Sequence, residues 1–408
     1  MPMRRRSASR WLAPLALAAA AVGARPLAAQ QPVTREQAVA AALARGPRVL
    51  LAATDTAAAR ADLLTARAFQ NPTVSASYSK DVPQYHAGVD LPLDLPWIRS
   101  ARIRVATEAR ASARLRFAFE LASARFDAEA AYDAALAATA QARLSRRTAL
   151  DADSLLRMAR ARRDAGDASE LDVQLATVNA GQAANDAVGD SVDAVGALLD
   201  VQRVMGLPAD RVSIALADTL ALPAPDTAAA AGATLQVAAA EAAARSADAA
   251  VSLARRSAFA WPSLSFGFDT HDPTGAEPGL LPTFGLAVTL PLLSWNGGPI
   301  AAAAAARDRA RDELALARRE SDAAVAQARR DLAVATEKAG RDRTLVASAD
   351  RVAAMSLTAY AEGAVALPSV LEAQRQARDA LGHLVDDLAA ANTAAAAVRL
   401  FTTSEATP

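Results

Sequence analysis

From Ile98 to Ala165 the chain contains neither proline nor glycine, and a second stretch over 299–362 opens on Pro299 and holds only Gly340. Such stretches have no internal stop signal, so each predicts one continuous helix. At 1.5 Å per residue, roughly 65 residues make a rod about 100 Å long. A compact globular domain has no use for a rod of that length. The chain must therefore build something elongated.

The two rods belong to a duplication. Asn71-Pro-Thr-Val-Ser-Ala-Ser-Tyr-Ser recurs as Trp261-Pro-Ser-Leu-Ser-Phe-Gly-Phe-Asp. Gly88-Val-Asp-Leu-Pro-Leu recurs as Ala287-Val-Thr-Leu-Pro-Leu, and Gly166-Asp-Ala-Ser-Glu-Leu-Asp-Val as Gly363-Ala-Val-Ala-Leu-Pro-Ser-Val. Each copy reads helix, strand, strand, very long helix, return helix. The first spans 31–205, with strands at 72–80 and 86–93 and a long hairpin over 98–205. A proline-bearing connector at 206–230 leads to the second, 231–402, with strands at 262–270 and 283–291, a hairpin over 299–401, and a tail at 403–408. Thr34-Arg-Glu-Gln37 has the form of a capping box, and Gly46-Pro47 bends the helical region behind it.

Alanine fills more than a quarter of the 408 residues, which suits rods packed closely side by side. Val105, Phe119 and Phe126, then Leu115, Leu136 and Leu150, fall on two heptad positions, and Leu314, Val325, Leu332 and Val346 match that register. Charge is balanced at 44 basic and 44 acidic residues, which removes the whole-chain attraction that a nucleic-acid binder needs. The absence of cysteine excludes disulfides and thiolate metal sites.

Arg4, Arg5, Arg6 and Arg10 precede an apolar stretch, Trp11 to Val22, and the small-residue exit Leu27-Ala28-Ala29. This pattern reads as a secretory signal peptide over 1–30, the alternative being an uncleaved anchor. No cysteine follows, so no lipid is expected on the mature end. No later stretch is long and apolar enough for a membrane helix, so a membrane span would have to be built from strands.

The strands suit that role. Val74, Ala76 and Tyr78 alternate with serines, Leu264, Phe266 and Phe268 with Ser265, Gly267 and Asp269, and Phe284, Leu286, Val288 and Leu290 with Thr283, Gly285, Ala287 and Thr289. One apolar and one small polar face is the pattern of an outer-membrane barrel strand, although a soluble sheet edge alternates too. Four strands cannot close a barrel, so copies must pool them, and three chains supply twelve. The fold class expected is mainly α with a small membrane β-barrel contribution: a trimeric, twelve-stranded barrel continued by a helical periplasmic tunnel.

With Leu43-Ala-Arg-Gly-Pro47, Asn71-Pro72 and both glycine-centred hairpin tips, above all Tyr360-Ala-Glu-Gly-Ala-Val-Ala-Leu-Pro-Ser-Val-Leu-Glu-Ala-Gln374, the sequence resembles the TolC family of outer-membrane efflux proteins. Its general look is closest to the branch serving resistance-nodulation-division pumps. The resemblance implies an exit duct in the outer membrane that extends into the periplasm. It implies a homotrimer working with a periplasmic adaptor protein and an inner-membrane pump, with no cofactor and no catalysis. It also implies a constriction at the second tip, for which Tyr360, Glu362 and Glu372 are the candidates, although Ser369 stands where the family often has an aspartate. Gly166, Leu171, Asp172, Val173, Gly363, Val365, Leu367 and Val370 are the candidates for gripping the adaptor, with packing beneath the turns as the alternative for the apolar ones. His86, His271 and His383 have no second histidine at helical spacing, and no phosphate loop or catalytic triad context is recognisable. A periplasmic coiled-coil scaffold without a pore remains the rival, and an exported enzyme lacks any convergent polar pocket.

Overall fold

The computed structural model describes residues 31–224, 233–258, 262–270, 279–288 and 295–404. The signal-peptide segment, residues 225–230 of the connector, His271, the end of the expected fourth strand at 289–291 and residues 405–408 lie outside them.

Helix α1 (Arg35–Arg45) starts at the expected capping box: Gln37 N–H donates to Thr34 Oγ1 at 3.3 Å, and Thr34 N–H to Gln37 Oε1 at 3.1 Å. Gly46 and Pro47 separate α1 from α2 (Pro47–Arg67). A hairpin follows, β2 (Thr73–Tyr78) and β3 (Tyr85–Pro92), β1 being the short N-terminal segment Gln31–Val33. The first rod, α3 (Pro96–Asp164), is 69 residues long and starts at Pro96 in its first turn, where the missing N–H costs nothing. It returns as α4 (Glu170–Val204). After β4 (Ile214–Leu216), the second half repeats the order as α5 (Leu235–Arg256), β5 (Ser263–Thr270), β6 (Leu281–Ala287), the 65-residue α6 (Gly297–Ala361) and α7 (Leu367–Thr402).

Strands from both halves form one antiparallel sheet in the order β2-β3-β5-β6. The helices that enter and leave those strands keep that order. α2 packs on α3, α3 on α5 and α5 on α6. Further from the sheet α4 lies along α3, α3 touches α7 and α7 lies along α6, giving the order α4-α3-α7-α6. The chain is thus a wall one layer thick and four elements wide. It is curled, because side chains of both outer helices, α2 and α6, line one groove of about 850 Å³ over α3 and α5.

The seams of this wall are made of small residues. Ala128, Ala135 and Ala142 on α3, and Ser321, Ala328 and Ala335 on α6, recur every seven residues and are buried. Of the large residues expected at the seam, Leu136 is buried, whereas Val105, Phe119 and Phe126 are only half-buried and Leu150 is 70% exposed. Close approach of the rods favours alanine along most of the seam, and leucine enters it at the girdle and beneath the tips, where Leu136, Leu155 and Leu156 are buried.

A girdle at the middle of α3 was not expected. β1 and β4 pair in parallel, Gln31 against Ile214 and Val33 against Leu216. Tyr132 anchors them, its hydroxyl donating to the Val33 carbonyl at 2.8 Å within a core of Val33, Leu136, Val201, Met205 and Ile214. Gln202, fully buried, donates to the carbonyls of Pro208 and Arg211 at 2.6 and 2.9 Å and accepts from Ser213 N–H at 2.7 Å. Charges lie beside this core. Asp133 pairs with Arg35, while Glu129 pairs with Arg125 at 2.9 Å and with Arg399 of α7 at 2.5 Å. Burial pushes the Asp133 carboxyl up to about 6 although Arg35 pulls the other way, and Glu129 adds to the rise. Glu129 itself is held below the usual carboxylate range; burial opposes this, but Arg399 and Arg125 outweigh it.

Gln202→Leu leaves two carbonyls and one N–H of the connector without partners. It should lower unfolding stability by about 2–4 kcal/mol, read as a fall in the denaturation midpoint. Asp133 gives a pH signature. Between the ordinary value of 3.8 and about 6 the folded chain keeps a proton that the unfolded chain has released. This stabilising contribution is complete below the lower value and is lost as pH rises through the upper one. Asp133→Asn should flatten the decline in melting temperature across that window.

Candidate functional site: the amphipathic sheet and the hairpin tips

Strand register sorts the sheet's residues into two faces. The rung Ser75, Gly88, Gly267, Thr283 and the rung Thr73, Asp90, Ser265, Gly285 carry small or polar groups on one side. A Cβ on Gly267 would stand 2.7 Å from the Ala87 carbonyl oxygen, so glycine is required there for this face to close, and one on Gly285 would have to displace Ser265 Oγ, 2.2 Å away. The rung Val74, Val89, Phe266, Phe284 and the rung Ala76, Ala87, Phe268, Pro282 form the other side. There Phe266 meets Phe284 edge-on at 5.9 Å and Tyr78 meets Tyr85 at 5.3 Å. This apolar face is bare: Val74 is 76% exposed and Phe284 77%, with Tyr78, Phe268 and Leu286 also exposed. β2 and β6 each pair on one side only. A contiguous exposed aromatic face of this kind marks a surface that another apolar medium covers. No described helix is long and apolar enough to cross a membrane.

At the opposite end of the rods each hairpin turns on a glycine. Gly166 (φ +86°) and Gly363 (φ +79°) occupy the left-handed region that closes a helix end. The backbone N–H groups of Gly166 and Asp167 return to the Arg163 and Arg162 carbonyls; those of Gly363 and Ala364 return to Tyr360 and Ala359. Asp172 starts α4 through a reciprocal cap with Ser169, its carboxylate accepting from Ser169 N–H at 3.1 Å.

Beneath the turns, Leu155, Leu156, Ala159, Val173, Tyr360, Leu367 and Val370 form one buried cluster drawn from all four helices. Val173, Leu367 and Val370, candidates for an adaptor groove, therefore pack against their own chain, because the two tips bury their apolar residues against each other. Val365 is half-buried, and Leu171, Gly166 and Gly363 remain exposed. Tyr360, expected to narrow a pore, is 2% exposed, with its ring under the Arg162 guanidinium at 4.7 Å. Its hydroxyl is buried without a hydrogen-bond partner, and that burial raises its pKa; Arg162 opposes the rise and Asp172 adds to it. Glu362 is exposed at the cap of α6. Glu372 is exposed too, but not as a free carboxylate: Arg375 donates to it at 2.8 Å and Gln376 at 2.8 Å, which together hold it below the usual range. A ring of such groups would carry its own counter-ions.

Arg162 was not singled out from the sequence, yet it joins the tips. It donates to the Tyr360 carbonyl across the hairpins and to the Asp167 carbonyl at 3.3 Å in its own. A Cβ on Gly363 would lie 3.4 Å from Arg162 Nη2, whereas one on Gly166 meets nothing. Both Gly166→Val and Gly363→Val should cost about 1–2 kcal/mol of backbone strain. In hydrogen exchange, Gly363→Val should speed exchange at both turns, by displacing Arg162, and Gly166→Val at its own turn alone.

No protein-family model and no curated protein sequence matches the chain. Solved structures do. A membrane protein from Pseudomonas aeruginosa superposes with a TM-score of 0.78 at 18% identity, covering 90% of this chain and 93% of that one. The outer membrane protein VceC of Vibrio cholerae gives 0.76 at 15% identity, over 90% and 95%. The CmeC outer membrane channel of Campylobacter jejuni gives 0.78 at 14% identity, over 90% and 85%. The chain shares the fold of these membrane proteins over 90% of its length, which bears out the expected mainly helical fold with a small strand contribution.

Proposed function

We propose that this chain is one subunit of a homotrimeric exit duct. The duct is set in the outer membrane by its strands and reaches into the periplasm by its rods. It passively conducts what an inner-membrane pump and a periplasmic adaptor protein deliver. The observation that carries this reading is the open wall. A four-stranded sheet with a bare apolar face and two unpaired edges continues into helices in the same lateral order. Unpaired edges are untenable in lipid, and a curled wall with two different edges joins copies head to tail into a ring. Two copies would give eight strands, whose bore side chains fill, while twelve leave it open. The superposed channels support the same arrangement.

Further support comes from the other exposed stripes. On α4, Val178, Val188, Val192 and Val195 are 48–67% exposed. On α6, Val334, Leu345, Val352 and Met355 are 52–65% exposed. These helices are the two lateral edges of the wall below the girdle, so one copy's α4 meets the next copy's α6. On the concave side the groove carries Asp55, Asp62, Glu120, Glu313 and Glu320 against Arg116, which favours cations along the bore. The adaptor grips the exposed ends of the turns, around Gly166, Leu171 and Gly363.

Because the chain has no cysteine, an introduced pair reports one contact. Val74→Cys on β2, combined in turn with cysteines along β6, should crosslink detergent-extracted protein into a ladder ending at three chains. A ladder ending at two, or continuing past three, contradicts the closed trimer.

A further inference from the structure

On the polar face, at the end of the sheet remote from the rods, Ser79, His86 and Asp269 form a chain of contacts across three elements. His86 Nδ1 lies 2.9 Å from Asp269 Oδ1 on β5, and His86 Nε2 lies 3.3 Å from Ser79 Oγ after β2. The same Ser79 Oγ donates to the Asp81 carbonyl at 2.9 Å. Serine, histidine and aspartate in this order are also the parts of an acyl-transfer triad, but that chemistry needs the serine hydrogen directed at the imidazole. Here the single hydroxyl hydrogen is already given to Asp81.

Hydrogen counting then fixes the imidazole. With the Ser79 hydrogen on Asp81, the Nε2 contact is a bond only if Nε2–H donates to Ser79. A carboxylate accepts only, so the Nδ1 contact is a bond only if Nδ1–H donates to Asp269. All three bonds coexist solely with both ring nitrogens protonated. A neutral ring gives up one of the three bonds: it loses Ser79, draws the Ser79 hydrogen away from the Asp81 carbonyl, or turns a lone pair toward Asp269. Among the described residues, the charged or titratable groups on the packed elements are Asp269 on β5, Lys80 and Asp81 in the turn after β2, Asp90 on the same face of β3, and Tyr78 and Tyr85 on the opposite face.

We propose that His86 is a proton-operated clasp at the outer mouth. Protonated, it ties the 79–84 turn to β5 and neutralises Asp269. Deprotonated, it gives up one bond and loosens the turn, which then rests on Ser79 N–H to the Gln84 carbonyl at 2.9 Å, and it leaves Asp269 as an uncompensated carboxylate facing the bore. As part of a duct, and resting on that reading, three clasps make the mouth's cation preference weaker in acid than at neutral pH.

Lysine occurs only at Lys80 and Lys338, so lysine-specific proteolysis of detergent-extracted protein reads the turn directly. Histidine changes charge between about pH 5 and 8. At about pH 5.5, cleavage after Lys80 should be about three-fold or more slower in the wild type than in His86→Gln or Asp269→Asn, and at about pH 8 the three should agree. Equal rates at both pH values, or His86→Gln retaining the wild-type protection, overturn the clasp. The reversal potential across a lipid bilayer under a KCl gradient should show a cation preference that falls on acidification in the wild type and not in His86→Gln. Absence of any channel current refutes the duct, and the proteolysis result still decides the clasp.

Discussion

Everything in this molecule follows from the backbone groups at the two edges of its sheet. A strand within lipid has no water to satisfy its outward N–H and C=O groups, and each one left bare costs several kcal/mol. In the proposed duct, four strands with an apolar face toward lipid therefore make an incomplete object. The helices repeat the condition on a longer scale, with a seam of alanine inside the wall and valine, leucine and methionine stripes at its margins. Edge strands and edge helices lie on the same two sides, so one rotation between copies satisfies both.

The duplication explains how a single chain makes a wall of uniform width. Each half supplies two strands and a hairpin, and β3 of the first half pairs with β5 of the second along eight residues. In the proposed trimer, this junction inside the chain is the template for the junction between chains. The girdle holds the halves in register at the level where α2 and α5 give way to α4 and α7. It does so through the buried Glu129–Arg399 pair, which crosses between the halves, while Tyr132, Gln202 and the Asp133–Arg35 pair fasten the first half to its own N-terminal strand and connector. Such groups fix one alignment, where an alanine seam alone permits sliding by a heptad.

Elements were legible in the sequence wherever a local signal existed. The rods were visible through the absence of proline and glycine, the tips through Gly166 and Gly363, the sheet through strict alternation. What stayed hidden depends on contacts far apart in the chain. Three-residue strands such as β1 and β4 have no periodicity to detect. Arg162 meets Tyr360, 198 positions away, and nothing near either residue announces the pair. His86 and Asp269 lie 183 positions apart and become neighbours only through strand register. The seam was only partly legible, Leu136 being buried as expected, because large apolar residues draw attention while close-packed rods are decided mostly by the small ones. Arg375, three residues after Glu372, was legible as a helical ion pair, and it changes what a carboxylate ring at that level can do.

The tips and the mouth are the two ends of one wall, and each is closed by a side chain bridging elements: Arg162 at one, His86 at the other. In the proposed duct, both act on a structure whose existence depends on copies completing each other's edges. Native mass spectrometry of the full-length protein, extracted from outer membranes and released from detergent micelles, tests that dependence most directly. A single species of three chains is the result expected. A stable, water-soluble single chain would show that the edges need no partner and would contradict the account.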